Sequence, residues 1–196
     1  RIKNLNFFYE DGSQALRNVS APIYDKRVTA FMGPSGCGKS TLIRMVNGLL
    51  PATAGSLKID GTSLTEMSEA ELRHVRRDKI SMVFQHFALL PHRTVAENAA
   101  YGLEIKGIPR KERAAKAHEA LEMVGLNGWG DYLPGELSGG MQQRVGLARA
   151  LAADTEVLLM DEAFSALDPL SVRICRTSSW NCRLSSIKPS FSLLTI

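Results

Sequence analysis

Cysteine and histidine are scarce in this chain, and long apolar runs are missing. The 196 residues hold three cysteines and four histidines. Cys37, Cys175 and Cys182 lack metal-ligand spacing, which argues against a zinc ribbon or a disulfide scaffold and fits a reduced, cytosolic protein. No apolar stretch approaches the ~18 residues of a membrane span, and no signal-peptide pattern opens the chain. Residue 1 is an arginine almost inside a strand, so a trimmed N-terminus is expected. Acidic residues are absent from 171–196, and histidine is absent after His118. The first of these absences explains the net charge of +4. Of the 24 Lys and Arg, four lie in 171–196, so residues 1–170 carry 20 bases against 20 acids. The body is neutral, which argues against a nucleic-acid-binding face. What remains, 44% hydrophobic with 16 glycines, suffices for one globular domain and an inserted lobe.

The glycines concentrate where they carry chemistry. Gly33-Pro34-Ser35-Gly36-Cys37-Gly38-Lys39-Ser40-Thr41 matches G-x-x-x-x-G-K-[ST], the P-loop pattern, in full. Val28–Met32 before it reads as a buried strand, and Leu42–Asn47 after it as a helix stopped by Gly48. Strand, glycine loop and helix is the context the pattern needs. Backbone N–H groups can then turn inward around a phosphate chain, and the helix N-terminus adds partial positive charge. Lys39 is placed to reach the β- and γ-phosphates, and Ser40 to ligate Mg²⁺.

Around this loop the pattern alternates strand and helix. Residues 2–9 and 15–23 read as strands, with a turn at Glu10–Ser13. Tyr9 ends the first strand; it is either a base-stacking ring or a half-buried strand-end tyrosine. Leu57–Gly61 reads as a short strand closed by a turn. Ser68 with Glu71 is a capping box, and its helix runs to about Arg77 with a solvated arginine face. Ile80–Phe84 is a strand ending at Gln85, which alone is evenly a crevice residue or a loop amide. Residues 87–136 are mostly helical. Thr94–Leu103 is one helix. Arg110–Val124 is another, with Ala114, Ala117, Leu121 and Val124 on one face and Gly125 as its stop.

Leu137–Arg144 then opens a helix to Ala153 that buries Val145, Ala148 and Leu151. Gly139 and Gly140 at its start expose N–H groups, a second anion site. Val157–Met160 is a continuous apolar run, a central strand buried on both faces. It ends in Asp161-Glu162. A carboxylate there, beside a P-loop, is placed to hold Mg²⁺, and the next acid to orient or deprotonate a water attacking the γ-phosphate.

With these pieces in order, residues 1–170 resemble the ATP-binding subunit of an ABC transporter. Gly33–Thr41 matches its Walker A motif, Gln85 its Q-loop, Leu137–Arg144 (LSGGMQQR) its signature motif and Val157–Glu162 its Walker B motif. Ser165–Asp168 matches the D-loop, and Tyr9 the adenine-stacking aromatic. The resemblance implies an α/β fold: a P-loop NTPase (RecA-like) core, a helical subdomain inserted at about 87–145, and truncation before the last strands. It implies ATP and Mg²⁺ as ligands, the metal held by Ser40, Gln85 and Asp161. It implies a head-to-tail dimer, or a paired ATPase subunit, with Ser138, Gly139 and Gly140 facing the γ-phosphate in trans. Catalysis would rest on Glu162, Lys39 and Gln85. Permease subunits in the membrane would dock on the helical lobe, and a solute-binding protein would act indirectly. The chain would then sit on the cytoplasmic face of the plasma membrane.

Ala163-Phe164 and Ser81–His92 look like importers of glycine betaine, proline and other quaternary amines. Residues 3–9 and Val28–Ser40 look more like the phosphate-importer ATPase. The longer stretch favours the quaternary amines and, with proline, amino-acid transport. One feature departs from the family: it expects an apolar strand ending in a switch histidine some thirty residues after Glu162. Codons written from Leu170 and displaced by two bases can read IRTDMQDELVELQA and later HKTIVFITHD, family-like segments with that histidine. Residues 171–196 are therefore read, as a hypothesis, as an out-of-frame tail. On that reading the tail forms no native strand, the sheet keeps an unpaired edge and solubility is poor. Two alternatives are a truncated module that binds ATP without turnover, and a soluble ABC ATPase of DNA repair or translation. The single short lobe argues against the second.

Overall fold

The computed structural model describes residues 1–161 except Lys26 and His86, together with the backbone of residues 192–195. Two four-stranded sheets carry the fold. The first is antiparallel, from β1 (Ile2–Phe8), β2 (Gln14–Ala21), β4 (Ala54–Ile59) and β5 (Thr62–Ser63), in the order β2-β1-β4-β5. The second is parallel, from β3 (Val28–Ala30), β6 (Ile80–Val83), β7 (Val157–Met160) and β8 (Ser192–Thr195), in the order β3-β8-β7-β6.

Helix α1 (Lys39–Val46) buries Thr41, Leu42, Ile43, Met45 and Val46. Of these, Leu42, Ile43, Met45 and Val46 meet Leu5, Phe7 and Leu16 of the antiparallel sheet and Ile80, Met82 and Leu159 of the parallel one in one apolar core. α2 (Glu69–Asp78) starts at the expected capping box, where Ser68 Oγ accepts from Glu71 N and the Glu71 carboxylate accepts from Ser68 N. Its arginines are not all solvated. Arg76 donates to Gly48 O at 2.8 Å and so closes the end of α1.

A second core belongs to the helices. α3 (Val95–Ile105), α4 (Arg110–Met123) and α5 (Gly139–Ala152) enclose Val95, Ala99, Leu121, Val124, Val145 and Ala148. α4 buries Ala117, Ala120 and Leu121, with Val124 just beyond it, whereas Ala114 is exposed. Its buried stripe therefore begins one turn later than expected. Leu151 on α5 is half-buried, and Ala150 and Ala152 take the interior.

Two expectations are corrected. The strand before the P-loop is short and lies at the sheet edge, so Val28 is 66% exposed and Met32, beyond its end, 94%. The sheet also has no unpaired gap beside β7. Ser192–Thr195 pairs with β3 on one side and β7 on the other, with Leu193 opposite Val28 and Leu158. Ladder bonds are made by backbone groups, so a short Ser-Leu-Leu-Thr segment fills the position whatever precedes it.

Candidate functional site

The P-loop leaves β3 and enters α1 through two glycines that only a left-handed backbone satisfies. Gly36 has φ +79° and Gly38 has φ +91°. Gly38 is the N-cap of α1, so its conformation aims the first helical N–H groups into the loop. It also touches the sheet: a Cβ there would lie 2.7 Å from Ala15 O and 2.8 Å from Leu16 Cδ2. Gly33 closes the loop from the other side, since a Cβ there would lie 2.8 Å from Cys37 Sγ.

Lys39 curls back over this loop and donates to Gly33 O and Pro34 O, both at 2.9 Å. Its ammonium therefore covers the Gly33–Pro34 side of the loop. Thr41 is buried and meets the Tyr9 hydroxyl at 3.0 Å. Tyr9 also makes an edge contact with Phe7 at 5.0 Å, while the residue stays 45% exposed. The hydroxyl pins the ring beside the P-loop helix with a surface left open.

Ser40 and Asp161, 121 residues apart, meet directly: Ser40 Oγ donates to Asp161 Oδ1 at 2.7 Å. Asp161 is 1% exposed, and its N–H donates to Val83 O at 3.1 Å. The end of β7 is thereby tied to the end of β6, two residues before Gln85. A hydroxyl and a carboxylate converging beside an amide-lined loop form a hard-oxygen donor set, the kind Mg²⁺ takes together with phosphate oxygens. The residues therefore fit a Mg²⁺–nucleotide ligand.

Gln85 sits in a turn closed by Phe87 N donating to Phe84 O at 3.1 Å. Ser138 is the N-cap of α5 and accepts from Met141 N at 3.4 Å, so Gly139 and Gly140 form the helix's first turn. Among the described residues, Ser138, Gly139 and Gly140 make no hydrogen bond to the P-loop. Glu162 and the Ser165–Asp168 segment lie outside the described residues.

Sequence reasoning missed Arg149. Its Nη1 donates to Ala88 O at 2.7 Å and its Nη2 to Phe87 O at 2.8 Å. Burial pulls its pKa below the ordinary arginine value, with nearby Tyr101 acting in the opposite sense. The available signal was its setting, one cation inside the apolar run Val145–Ala153. Asn98 was missed as well. It is fully buried and links Leu90 N, Leu90 O, Arg93 O and Thr94 O. No helix among the described residues is long and apolar enough to cross a membrane.

Comparison with known proteins agrees with this geometry. A protein-family profile described as "ABC transporter" matches residues 16–165. The chain is 61% identical over 148 residues to the glycine betaine transport ATP-binding protein OpuAA of Bacillus subtilis, covering 76% of this chain and 35% of that protein. It is 54% identical over 158 residues to the glycine betaine/proline betaine transport system ATP-binding protein ProV of Salmonella typhimurium, covering 81% of this chain and 40% of that one. The chain thus spans well under half the length of these curated relatives. Among solved structures, the dimeric structure of MJ0796, a bacterial ABC transporter cassette, superposes with a TM-score of 0.89 at 34% identity. That match covers 99% of this chain and 86% of that one. Profile, relatives and site geometry agree, and this chain belongs to the ABC transporter family.

Proposed function

We propose that this chain is the ATP-binding and ATP-hydrolysing part of an importer subunit that moves a small quaternary amine, such as glycine betaine or proline betaine. The observation that carries the reading is the Ser40–Asp161 bond of 2.7 Å beneath the P-loop. The names of OpuAA and ProV support the solute class. Gly33–Thr41 binds the phosphates through backbone amides, with Lys39 turning from Gly33 O and Pro34 O toward them. Tyr9 offers its open ring to the base. Ser40, Asp161 and Gln85 hold Mg²⁺. The metal supplies charge neutralisation at the phosphates. Glu162, next after Asp161 in sequence, takes the proton of the attacking water. The protein's contribution is positioning and preset charge.

Ser138, Gly139 and Gly140 lie at the start of α5 in the helical lobe and, among the described residues, make no hydrogen bond to the P-loop of their own chain, which supports a head-to-tail partner. That partner is a second copy or a paired ATPase subunit, and the dimeric state of the MJ0796 cassette supports the arrangement. Permease subunits in the membrane then hold the pair at its cytoplasmic face, with a solute-binding protein acting beyond them. Phosphate release by the purified chain tests the reading. Expected is Mg²⁺-dependent turnover abolished by Asp161→Asn, together with ATP binding that Lys39→Ala removes. Absence of ATP binding by the unaltered chain refutes the reading.

A second reading rests on one specific feature, the absence of histidine after His118. On it, the chain binds ATP and does not turn it over. ATP binding without phosphate release, in the unaltered chain, selects this reading.

A further inference from the structure

Resting on the nucleotide-site reading above, we infer that Arg149 is a positioning residue that locks the signature helix to the segment leaving Gln85, so that the two move as one body. Phe87 and Ala88 have φ +58° and +47°, although neither is glycine. A left-handed pair of side-chain-bearing residues persists only where its surroundings impose it. Here the imposing group is the Arg149 guanidinium. It forks onto both carbonyls of the pair, at 2.7 and 2.8 Å. A planar fork holds two carbonyls in fixed relation, which an ammonium does not.

The same face of α5 comes close to the segment one turn earlier. A Cβ on Gly146 would meet Phe87 O at 3.7 Å and Val83 Cγ1 at 3.9 Å. Beyond Ala88, Asn98 of α3 takes over and binds Leu90, Arg93 and Thr94. Residues 87–94 are thus bonded to the helical lobe at both ends. α5 itself packs on the sheet through Ala150, which meets Val83 of β6 and Leu158 and Met160 of β7, and the turn Phe84–Phe87, which contains Gln85, runs between that strand and the clamped pair. At the far end of α5 stand Ser138, Gly139 and Gly140. A displacement of the segment leaving Gln85 is therefore passed to α5 and the signature residues at its start, and Arg149 makes that connection.

Hydrogen exchange on the full chain, with and without Mg²⁺-ATP, tests this in the unaltered protein, Arg149→Met and Arg149→Lys. In the unaltered chain, ATP is expected to slow exchange both at 84–90 and across 139–152. In Arg149→Met the nucleotide response at 139–152 is lost, while the ATP Kd stays within twofold. Without nucleotide, amides at 87–90 exchange at least tenfold faster in that variant. Arg149→Lys, which can hold one carbonyl, recovers part of both effects. An equal response of 139–152 in Arg149→Met, or unchanged exchange at 87–90, overturns the inference. If Arg149→Met does not fold, Arg149→Lys decides: exchange and response identical to the unaltered chain overturn it, and an intermediate response supports it. Failure of the unaltered chain to bind ATP overturns the functional reading instead, while the nucleotide-free exchange still judges the clamp.

Discussion

Replacing Gly38 with alanine should damage the protein far more than replacing Gly36, although both glycines belong to one loop and both have positive φ. At Gly36 the φ is +79° and an added Cβ meets nothing within 4 Å. The expected cost there is the left-handed backbone alone, about 1–2 kcal/mol. At Gly38 the φ is +91° and the Cβ would sit 2.7 Å from Ala15 O, a backbone atom of β2 that cannot swing away. Overpacking of this kind adds about 1–3 kcal/mol, for a total of about 2–5 kcal/mol. Against a domain stability of about 5–15 kcal/mol, that is a large fraction. With a urea slope of about 2–3 kcal/mol per molar, the unfolding midpoint falls by about 1–2 M. Urea titration of the unaltered chain, Gly36→Ala and Gly38→Ala, followed by far-UV circular dichroism, measures it. The same titration with ATP present shows whether the N-cap of α1 is disturbed. Equal midpoints for the two variants would refute the packing argument, because both positions carry positive φ and only Gly38 would press a Cβ against β2.

Tyr9→Ala should weaken ATP binding by about 5- to 150-fold, the worth of roughly 1–3 kcal/mol of base–aromatic stacking, whereas Tyr9→Phe keeps the ring and loses only the Thr41 bond. A fluorescent ATP analogue measures both, and equal losses in the two variants reject ring stacking. The Ser68 hydroxyl and then its N–H, both bonding the Glu71 carboxylate, hold its pKa below the ordinary 4.5. That bond therefore stabilises the fold above pH 4.5 and is lost as pH falls through the lower folded value. The stability gap between the unaltered chain and Glu71→Ala should be full at about pH 7 and shrink in acid; a gap constant down to about pH 3 refutes it. Sequencing the DNA that encodes residues 165–196 should reveal a one-base change near Leu170 that restores an Ile-Thr-His-Asp segment, and a sound frame disposes of the displaced-frame hypothesis.

The parts legible in the sequence were those whose chemistry is local. The glycine pattern of 33–41, the Ser68–Glu71 cap and the apolar run Val157–Met160 each dictate their own conformation from adjacent residues. Their structures follow the reading closely. The meeting of Ser40 with Asp161 was legible only as chemistry, because its geometry depends on which strands neighbour each other. Arg149 and Asn98 were illegible for a different reason. Each acts on backbone carbonyls, and a carbonyl has no identity in a sequence. The stripe of α4 was misplaced by a turn because Ala114, Ala117 and Ala120 look alike, and only packing against α3 and α5 selects among them. Edge position explains the brevity of β3, since among the described residues it has one neighbouring strand, which supplies little burial.

The seating of β8 has a consequence for the order in which the protein is made. Among the described residues, the only ladder partner of β3 is β8, and Val28 waits for Leu193. A ribosome that has translated the helical lobe and β7 has not yet made the residues that fasten the P-loop strand to the sheet. Pairing across so long a stretch of chain is slow to form, so this strand joins late. The nascent polypeptide can therefore fold its antiparallel sheet and seat α1 against it before β3 takes its place in the parallel sheet. The phosphate loop is thus held first at its α1 end, and its β3 end is secured only when Ser192–Thr195 arrives.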